Sequence, residues 1–396
     1  MINLEFSESM TKMVNGVKMV AQNMLRPIAR KYDQLEHEYP KELDVFRGAP
    51  LFSRSGKKKE GEKKPAAREG KTGPNLGQIL SVEAMCWGDA GLLMSIPNAG
   101  VGNAALVAVG TEEQIRKFGG KWIAFANTEP EVGSDAGAIT TTAEADGDEW
   151  VINGEKIFVT CAERCDAVVV WATLDKSAGK SGIKPFLVEK GTPGMKLEHL
   201  ESKCGLRASD TGTFVFSDCR IPRENILGSA EIDRTTEGFK GVMKTFDMTR
   251  PMVASMANGL AAASLDLIRE TMEKNGTVFD YDKAPNRVSA AEKEYYLMEA
   301  NLEAMRLLTY KAAWMADNDQ PNNLEASMAK AKSGRCAALI AQKCCDLLGP
   351  LGWTTRELAE KWMRDVKIMD IFEGTGQIQH LIVARNILKL SSKELK

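Results

Sequence analysis

The sequence predicts an α+β protein in which a small β domain sits between two helical regions. Apolar residues recur at three- and four-residue steps before about residue 120 and again after about residue 229, the period of helices packed on one face. Between them, β-rich runs such as Val168-Val169-Val170-Trp171 alternate with turn residues. A length of 396 residues accommodates two or three domains with a sizeable core. The expected division is 1–120 helical, 121–228 β, built of small antiparallel sheets, and 229–396 a C-terminal four-helix bundle.

From Phe6 to about Phe46, Met10, Met13, Val17, Val20 and Met24 mark a helical face that Pro27 interrupts. Residues 53–73, with Lys57-Lys58-Lys59 and Lys63-Lys64, carry almost no apolar side chain and read as an exposed loop. Helical texture returns from Asn75 to Phe118, broken at Pro97-Asn98-Ala99-Gly100 and Gly110-Thr111. Glu149-Trp150-Val151-Ile152 and Lys156-Ile157-Phe158-Val159-Thr160 flank Asn153-Gly154, a hairpin signal. Pro185-Phe186-Leu187-Val188 and Thr213-Phe214-Val215-Phe216 read as further strands. After Gly228 come long helices: Val253, Met256, Leu260, Ala263 and Leu267 step along one seam. Another helix spans about Asn323 to Leu348 and stops at Gly349-Pro350; the last runs from about Gly376 to Leu390, with Ile378, Leu381, Ile382 and Ile387 on one side.

Fifty-two basic against 54 acidic residues leave no excess charge to attract nucleic acid or an anionic membrane. Apolar runs stop short of a membrane span, and residues 1–6 lack a secretory or transit pattern, so a cytoplasmic location is expected. Eight cysteines without zinc spacing and three scattered histidines indicate reduced packing cysteines and no metal site. Neither a GxGxxG turn between strand and helix nor a P-loop is present.

The stretch with most chemical content is Asp370-Ile371-Phe372-Glu373-Gly374-Thr375-Gly376-Gln377. A carboxylate buried beside Ile371 and Phe372 gains a raised pKa, as a general base needs. A surface glutamate on a loop that caps the next helix fits the same residues.

Four more blocks precede it in order: Phe125-Ala126-Asn127-Thr128-Glu129-Pro130-Glu131-Val132-Gly133-Ser134-Asp135, the Asn153–Thr160 stretch, Gly205-Leu206-Arg207-Ala208-Ser209-Asp210-Thr211, and Phe246-Asp247-Met248-Thr249-Arg250-Pro251. Together the five blocks resemble the acyl-CoA dehydrogenase family of flavoproteins, nearest its medium-chain type, over almost the whole chain. The resemblance implies that family's fold, FAD as cofactor, and α,β-dehydrogenation of an acyl-CoA thioester, with Glu373 taking the α-proton while a hydride passes from the β-carbon to flavin N5. It places Phe125, Asn127, Thr128, Gly133, Ser134, Phe158, Thr160, Gly349, Gly352, Thr375 and Gln377 around FAD. Ser134, Phe246, Asp247, Arg250, Gly374 and Arg385 fall to the substrate. Phe158 stands where the family commonly has Trp; packing between strands is the plainer reading of Phe158 and Thr160. Asp247 and Arg250, three apart at a helix start, also read as a self-contained ion pair.

Some family branches carry the base near residue 250, where this chain offers no carboxylate beyond Asp247. The family implies an electron-transferring flavoprotein as electron acceptor and a homotetramer with FAD at a subunit interface. At two interface positions this chain departs from the pattern: Glu273–Asp280 lacks the family's Arg, and Asp346 stands in place of a Gln. A heterotetramer with a sister subunit is therefore the alternative, and a flavin monooxygenase- or desulfinase-like relative on the same fold is the third reading.

Overall fold

The computed structural model of the protein describes residues 6–47, 73–97, 101–232, 237–391 and 394–395, with backbone alone for 237–248. The lysine-rich stretch expected at 53–73 lies outside these residues up to position 72, as do Asn98-Ala99-Gly100 and the side chains of Phe246 and Asp247.

Helices α1 (Glu8–Val20), α2 (Ala29–Gln34), α3 (Pro74–Gly88), α4 (Ala90–Leu93), α5 (Val101–Val109) and α6 (Glu112–Phe118) precede the first strand. Between α1 and α2 the chain passes through a π turn at Ala21–Leu25 and a 3₁₀ turn at Arg26–Ile28, because Pro27 cannot donate to the preceding turn. The face that α1 turns inward runs through Met10, Val14 and Val17. Met13, expected on that face, is 44% exposed, since it lies one position off the stripe. Asp317, at the end of a later helix, takes the backbone N–H groups of Gly73, Asn75 and Leu76, seating a carboxylate on the N-terminus of α3.

The strands are β1 (Ile123–Ala126), β2 (Thr142–Asp146), β3 (Glu149–Thr160), β4 (Ala167–Thr173), β5 (Ile183–Glu189), β6 (Met195–Leu200) and β7 (Thr211–Pro222). Hydrogen bonds join them in the order β1-β4-β2-β3-β7-β6, with β5 on β4. Pairing is mostly antiparallel, with β1 and β2 each parallel to β4.

The hairpin expected at Asn153-Gly154 is corrected: both residues lie inside the single strand β3, and the chain reverses instead at Gly147-Asp148, between β2 and β3. Gly154 has φ +149 at a bulge against β7, and Thr141 side-chain atoms come within 2.5 Å of where its Cβ would stand. The glycine is there for close approach and strand bending, not for a turn.

Helices α7 (Glu237–Lys274), α8 (Ala290–Asp317) and α9 (Asn323–Leu347) follow, then α10 (Ala359–Val366) and α11 (Gly376–Leu388). Helices α7, α8 and α11 pack around α9 to make a four-helix bundle, and its core is continuous with that of the N-terminal helices. Asp247 and Arg250 lie well inside α7 rather than at a helix start, because the helix runs through Pro251. The stretch Thr249–Lys274 is long and apolar enough to cross a membrane, yet its most apolar window is 83% buried within the protein. Ile387, expected on the inner side of α11, is 62% exposed. The eight cysteines are free thiols, six of them buried.

One joint ties the three regions together. Lys361 of α10 lies between Asp89 and Asp365, 2.5 Å from each and wholly buried. Asp365 also accepts the N–H of Leu206, in the loop entering β7. Burial alone would lower the Lys361 pKa; Asp365 and Asp89 reverse that and hold it raised. The Gly205–Thr211 block owes its composition to this seam: the carbonyl of Arg364 stands 2.3 Å from where a Gly205 Cβ would be.

Candidate active site

Glu373 sits in the short loop between the 3₁₀ turn Lys367–Asp370 and α11. Its φ is +56 and that of Gly374 is +90, two successive left-handed residues that turn the chain sharply. For a glutamate this conformation is strained, and such strain persists where the surroundings over-determine it. At Gly374 a side chain is excluded twice, by φ and by Gln379 Nε2, which lies 2.5 Å from the would-be Cβ. Gln379, fully buried, donates to the Gly374 carbonyl at 3.1 Å and reaches the Glu373 carbonyl at 3.4 Å. Thr375 caps α11 by accepting from the N–H of Ile378.

The residue Glu373 as a whole is half-buried, but its carboxyl lies deep enough that burial pushes the pKa above the ordinary glutamate value. Three groups oppose that rise: the Thr249 hydroxyl, which donates to Oε2 at 2.8 Å, and the cations Lys330 and Arg250. Both cations are buried, Arg250 on α7 and Lys330 on α9. The loop does cap α11, through Thr375, but the surface-glutamate reading fails because the Glu373 carboxyl is buried.

A second cluster lies at the edge of the sheet. After β1, Asn127 and Thr128 are pinned from β3: Lys156 Nζ donates to the Asn127 carbonyl at 3.0 Å, and Ile157 N–H to that of Thr128 at 2.9 Å. Glu129 and Val132 exchange backbone hydrogen bonds and close the turn at Pro130. The buried Glu129 carboxylate accepts from Thr140, Thr141 and Lys156; desolvation raises its pKa, and these donors overcome that and pull it down to about 2.

Phe158 follows at φ +57, inside a bulge, with 61% of its surface exposed. It does not pack within the sheet, so the plainer reading of this residue fails. Thr160 is half-buried and pairs across to Thr211. Gly133 and Ser134 are exposed, and open space surrounds the position of a Gly133 Cβ. Phe125, half-buried, leans on Trp171 with ring centroids 6.1 Å apart. An uncovered aromatic face beside a pinned backbone turn and open space fits a flat heteroaromatic ring system such as FAD carries.

Other expected residues stand apart. Gly349 and Gly352 form the 3₁₀ turn after α9, some nineteen residues beyond Lys330, so roughly 28 Å along the helix from that lysine. Arg385 Nε donates to the Leu395 carbonyl. Gln377 is exposed on the first turn of α11.

Thr249 and Lys330 were not singled out as site residues in the sequence. Thr249 gave no signal beyond its place beside Arg250. Lys330 had one: it is a lysine on the small-residue face Ala326, Ala329, Ser333, Ala337 of α9, where only paired charges survive burial.

Residues 124–219 match the acyl-CoA dehydrogenase middle domain, and residues 236–388 match the acyl-CoA dehydrogenase C-terminal domain. The chain is 34% identical to the mitochondrial short-chain specific acyl-CoA dehydrogenase of Rattus norvegicus, over 98% of this chain and 92% of that protein. It is 33% identical to the caffeyl-CoA reductase-Etf complex subunit CarC of Acetobacterium woodii, over 92% of this chain and 98% of that one. The solved structure of butyryl-CoA dehydrogenase from Megasphaera elsdenii superposes with a TM-score of 0.85 at 28% identity, covering 98% of this chain and all of that one. These relatives give the medium-chain type expected from the motifs no support.

Proposed function

The chain belongs to the acyl-CoA dehydrogenase family, an oxidoreductase acting on acyl-CoA, and from that premise we propose that Glu373 is the base that removes the α-proton of an acyl-CoA thioester. The observation that carries this reading is the Glu373 carboxylate itself: its pKa is raised by burial, one oxygen is fixed by Thr249, and its backbone is held in a left-handed turn. A carboxylate prepared in this way is matched to abstracting a weakly acidic proton, and its fixed position supplies much of the rate.

The reaction removes a proton from Cα and a hydride from Cβ, leaving the trans-2-enoyl-CoA. FAD, when bound, supplies the acceptor for that hydride. Asn127, Thr128, Phe158 and Thr160 would hold its ring system, with Gly133 and Ser134 beside it. Gly349 and Gly352, roughly 28 Å along α9 from Lys330, are assigned to the nucleotide end of FAD held by a neighbouring subunit, and Thr375 and Gln377 stay with the chain's own cofactor. Phe246, Asp247 and Arg250 would border the thioester and CoA chain. Gly374 and Arg385 complete the substrate assignment, with the Arg385 guanidinium already engaged by the Leu395 carbonyl.

The electron acceptor proposed is an electron-transferring flavoprotein, in keeping with the Etf-complex subunit at 33% identity. That same relative is a reductase by name, and it favours a second reading. Run in reverse, Glu373 would return a proton to Cα while Cβ of an unsaturated thioester takes a hydride, which reduced FAD would supply. The location proposed is cytoplasmic.

Replacing Glu373 with Gln keeps the shape and removes the base. Expected is retained fold and flavin, with turnover in either direction lowered by about 10²–10⁴. Turnover near that of the parent protein would refute the assignment.

A further inference from the structure

Lys330 is a charged side chain with no exposed surface, carried on α9 among small residues. Its amine donates to the carbonyl of Gly374, the residue after Glu373. Four elements surround it. The 3₁₀ turn brings Asp370, the loop brings Glu373, α7 brings Arg250, and α11 brings the neutral Gln379, which shares the same carbonyl. There is no slack between α9 and the turn: a Cβ on Gly334 would stand 2.9 Å from the Met369 carbonyl and 3.0 Å from Asp370 Cα.

We propose, on the reading that Glu373 is the base, that Lys330 is its positioning residue. It anchors the Gly374 carbonyl so that the left-handed pair 373–374 keeps one conformation, and its ammonium charge keeps the Glu373 carboxylate ionised at working pH. Anchoring and charge are separable. A carbonyl needs only an N–H donor, and Gln379 already supplies one, so a cation at this place does more than satisfy it. Burial pushes the Lys330 pKa down to about 8, against the opposing pull of Asp370 and Glu373, so the charge is present at neutral pH. Without it Glu373 loses one of the two cations that offset its desolvation, and its pKa climbs further.

Three substitutions separate the two roles. Lys330→Met removes donor and charge, Lys330→Gln keeps an N–H donor, and Lys330→Arg keeps the charge. Each is measured by the pH profile of kcat/KM and, without turnover, by infrared titration of the Glu373 carboxyl taken as the difference from Glu373→Gln. Expected for Met and Gln is an acid limb moved up by about one pH unit, about tenfold less activity on its acid side, with the same move in the infrared titration. Arg keeps the limb in place even where the rate falls.

A lower rate with an unmoved limb and carboxyl titration in the Gln variant would overturn the proposal and leave Lys330 a packing residue. A Met variant that does not fold leaves the Gln and Arg pair to decide. Failure of the base assignment itself reads differently: Glu373→Gln then turns over normally, whatever Lys330 does.

Discussion

At Glu373 the backbone does work that the side chain alone could not. A φ of +56 turns the chain at the residue itself, and the Thr249 hydroxyl fixes one carboxylate oxygen. Because the pKa is raised, the acid limb of the rate should lie above the ordinary glutamate range, activity rising as the carboxyl ionises. Thr249→Val removes a donor to the ionised form and is expected to move that limb up by about one unit, read from kcat/KM between pH 4 and 9. Phe158 presents the opposite case. At 61% exposure it contributes little to folding, so Phe158→Ala should change stability by less than about 0.5 kcal/mol while lowering flavin retention. Thermal melting and FAD absorbance on the same sample check both halves. A fall of several degrees would show that the ring packs on the protein and not on a ligand.

At the element scale a buried charge cluster, beside the apolar contacts of Leu206 and Ala208, ties the N-terminal helices, the loop entering β7 and α10 together. Lys361→Met would strand Asp89 and Asp365 as buried carboxylates without their cation, which costs about 3–5 kcal/mol. Denaturant midpoints of the Met variant against Lys361→Arg measure it. Glu129 gives a pH signature. Its folded pKa of about 2 lies below the unfolded value, so its stabilisation is complete above the ordinary glutamate pKa. That contribution drains away as pH falls toward about 2, and Glu129→Gln should flatten the acid side of the stability curve.

The helices and most strands were legible because their periods are local: 253, 256, 260, 263 and 267 define a face without knowledge of what meets it. Asn153-Gly154 misled because a glycine demanded by Thr141, thirteen residues earlier in the chain, carries the same letters as a turn. Glu373 was legible as a carboxylate in a Gly-flanked apolar loop. Its partners were not, since Thr249 and Lys330 reach it from 124 and 43 residues away.

For the whole molecule, roughly 28 Å of α9 lies between two parts of the proposed cofactor site. We propose a tetramer built as a pair of dimers, in which residues 346–352 and 275–280 of one copy approach FAD held by its neighbour. Asp346 is exposed beside that turn, and its charge repels a pyrophosphate. Two lost charge-assisted hydrogen bonds, at roughly 1.5–3 kcal/mol each, would weaken FAD by about two to four decades. The expected outcome is a homotetramer that loses FAD on exchange through high salt, measured as FAD per subunit beside the oligomer mass. Firmly held FAD in that homotetramer would remove the weakness, and recovery only with a co-expressed sister subunit would establish the heterotetramer.

The Asp89–Lys361 contact also sets a clock. Its two ends are 272 residues apart, and the entire sheet is made between them. At about 5–20 residues per second, a ribosome delivers the carboxylate roughly 15–55 s before the cation that neutralises it. The last strand ends at Pro222, so in the later half of that interval the strands are complete while the N-terminal helices still have no finished surface to close on. The sheet is therefore expected to fold first and alone, with the first helices waiting beside it for the last third of the chain. Nascent chains arrested before Lys361 should show a protease-resistant sheet and N-terminal helices that are still cut.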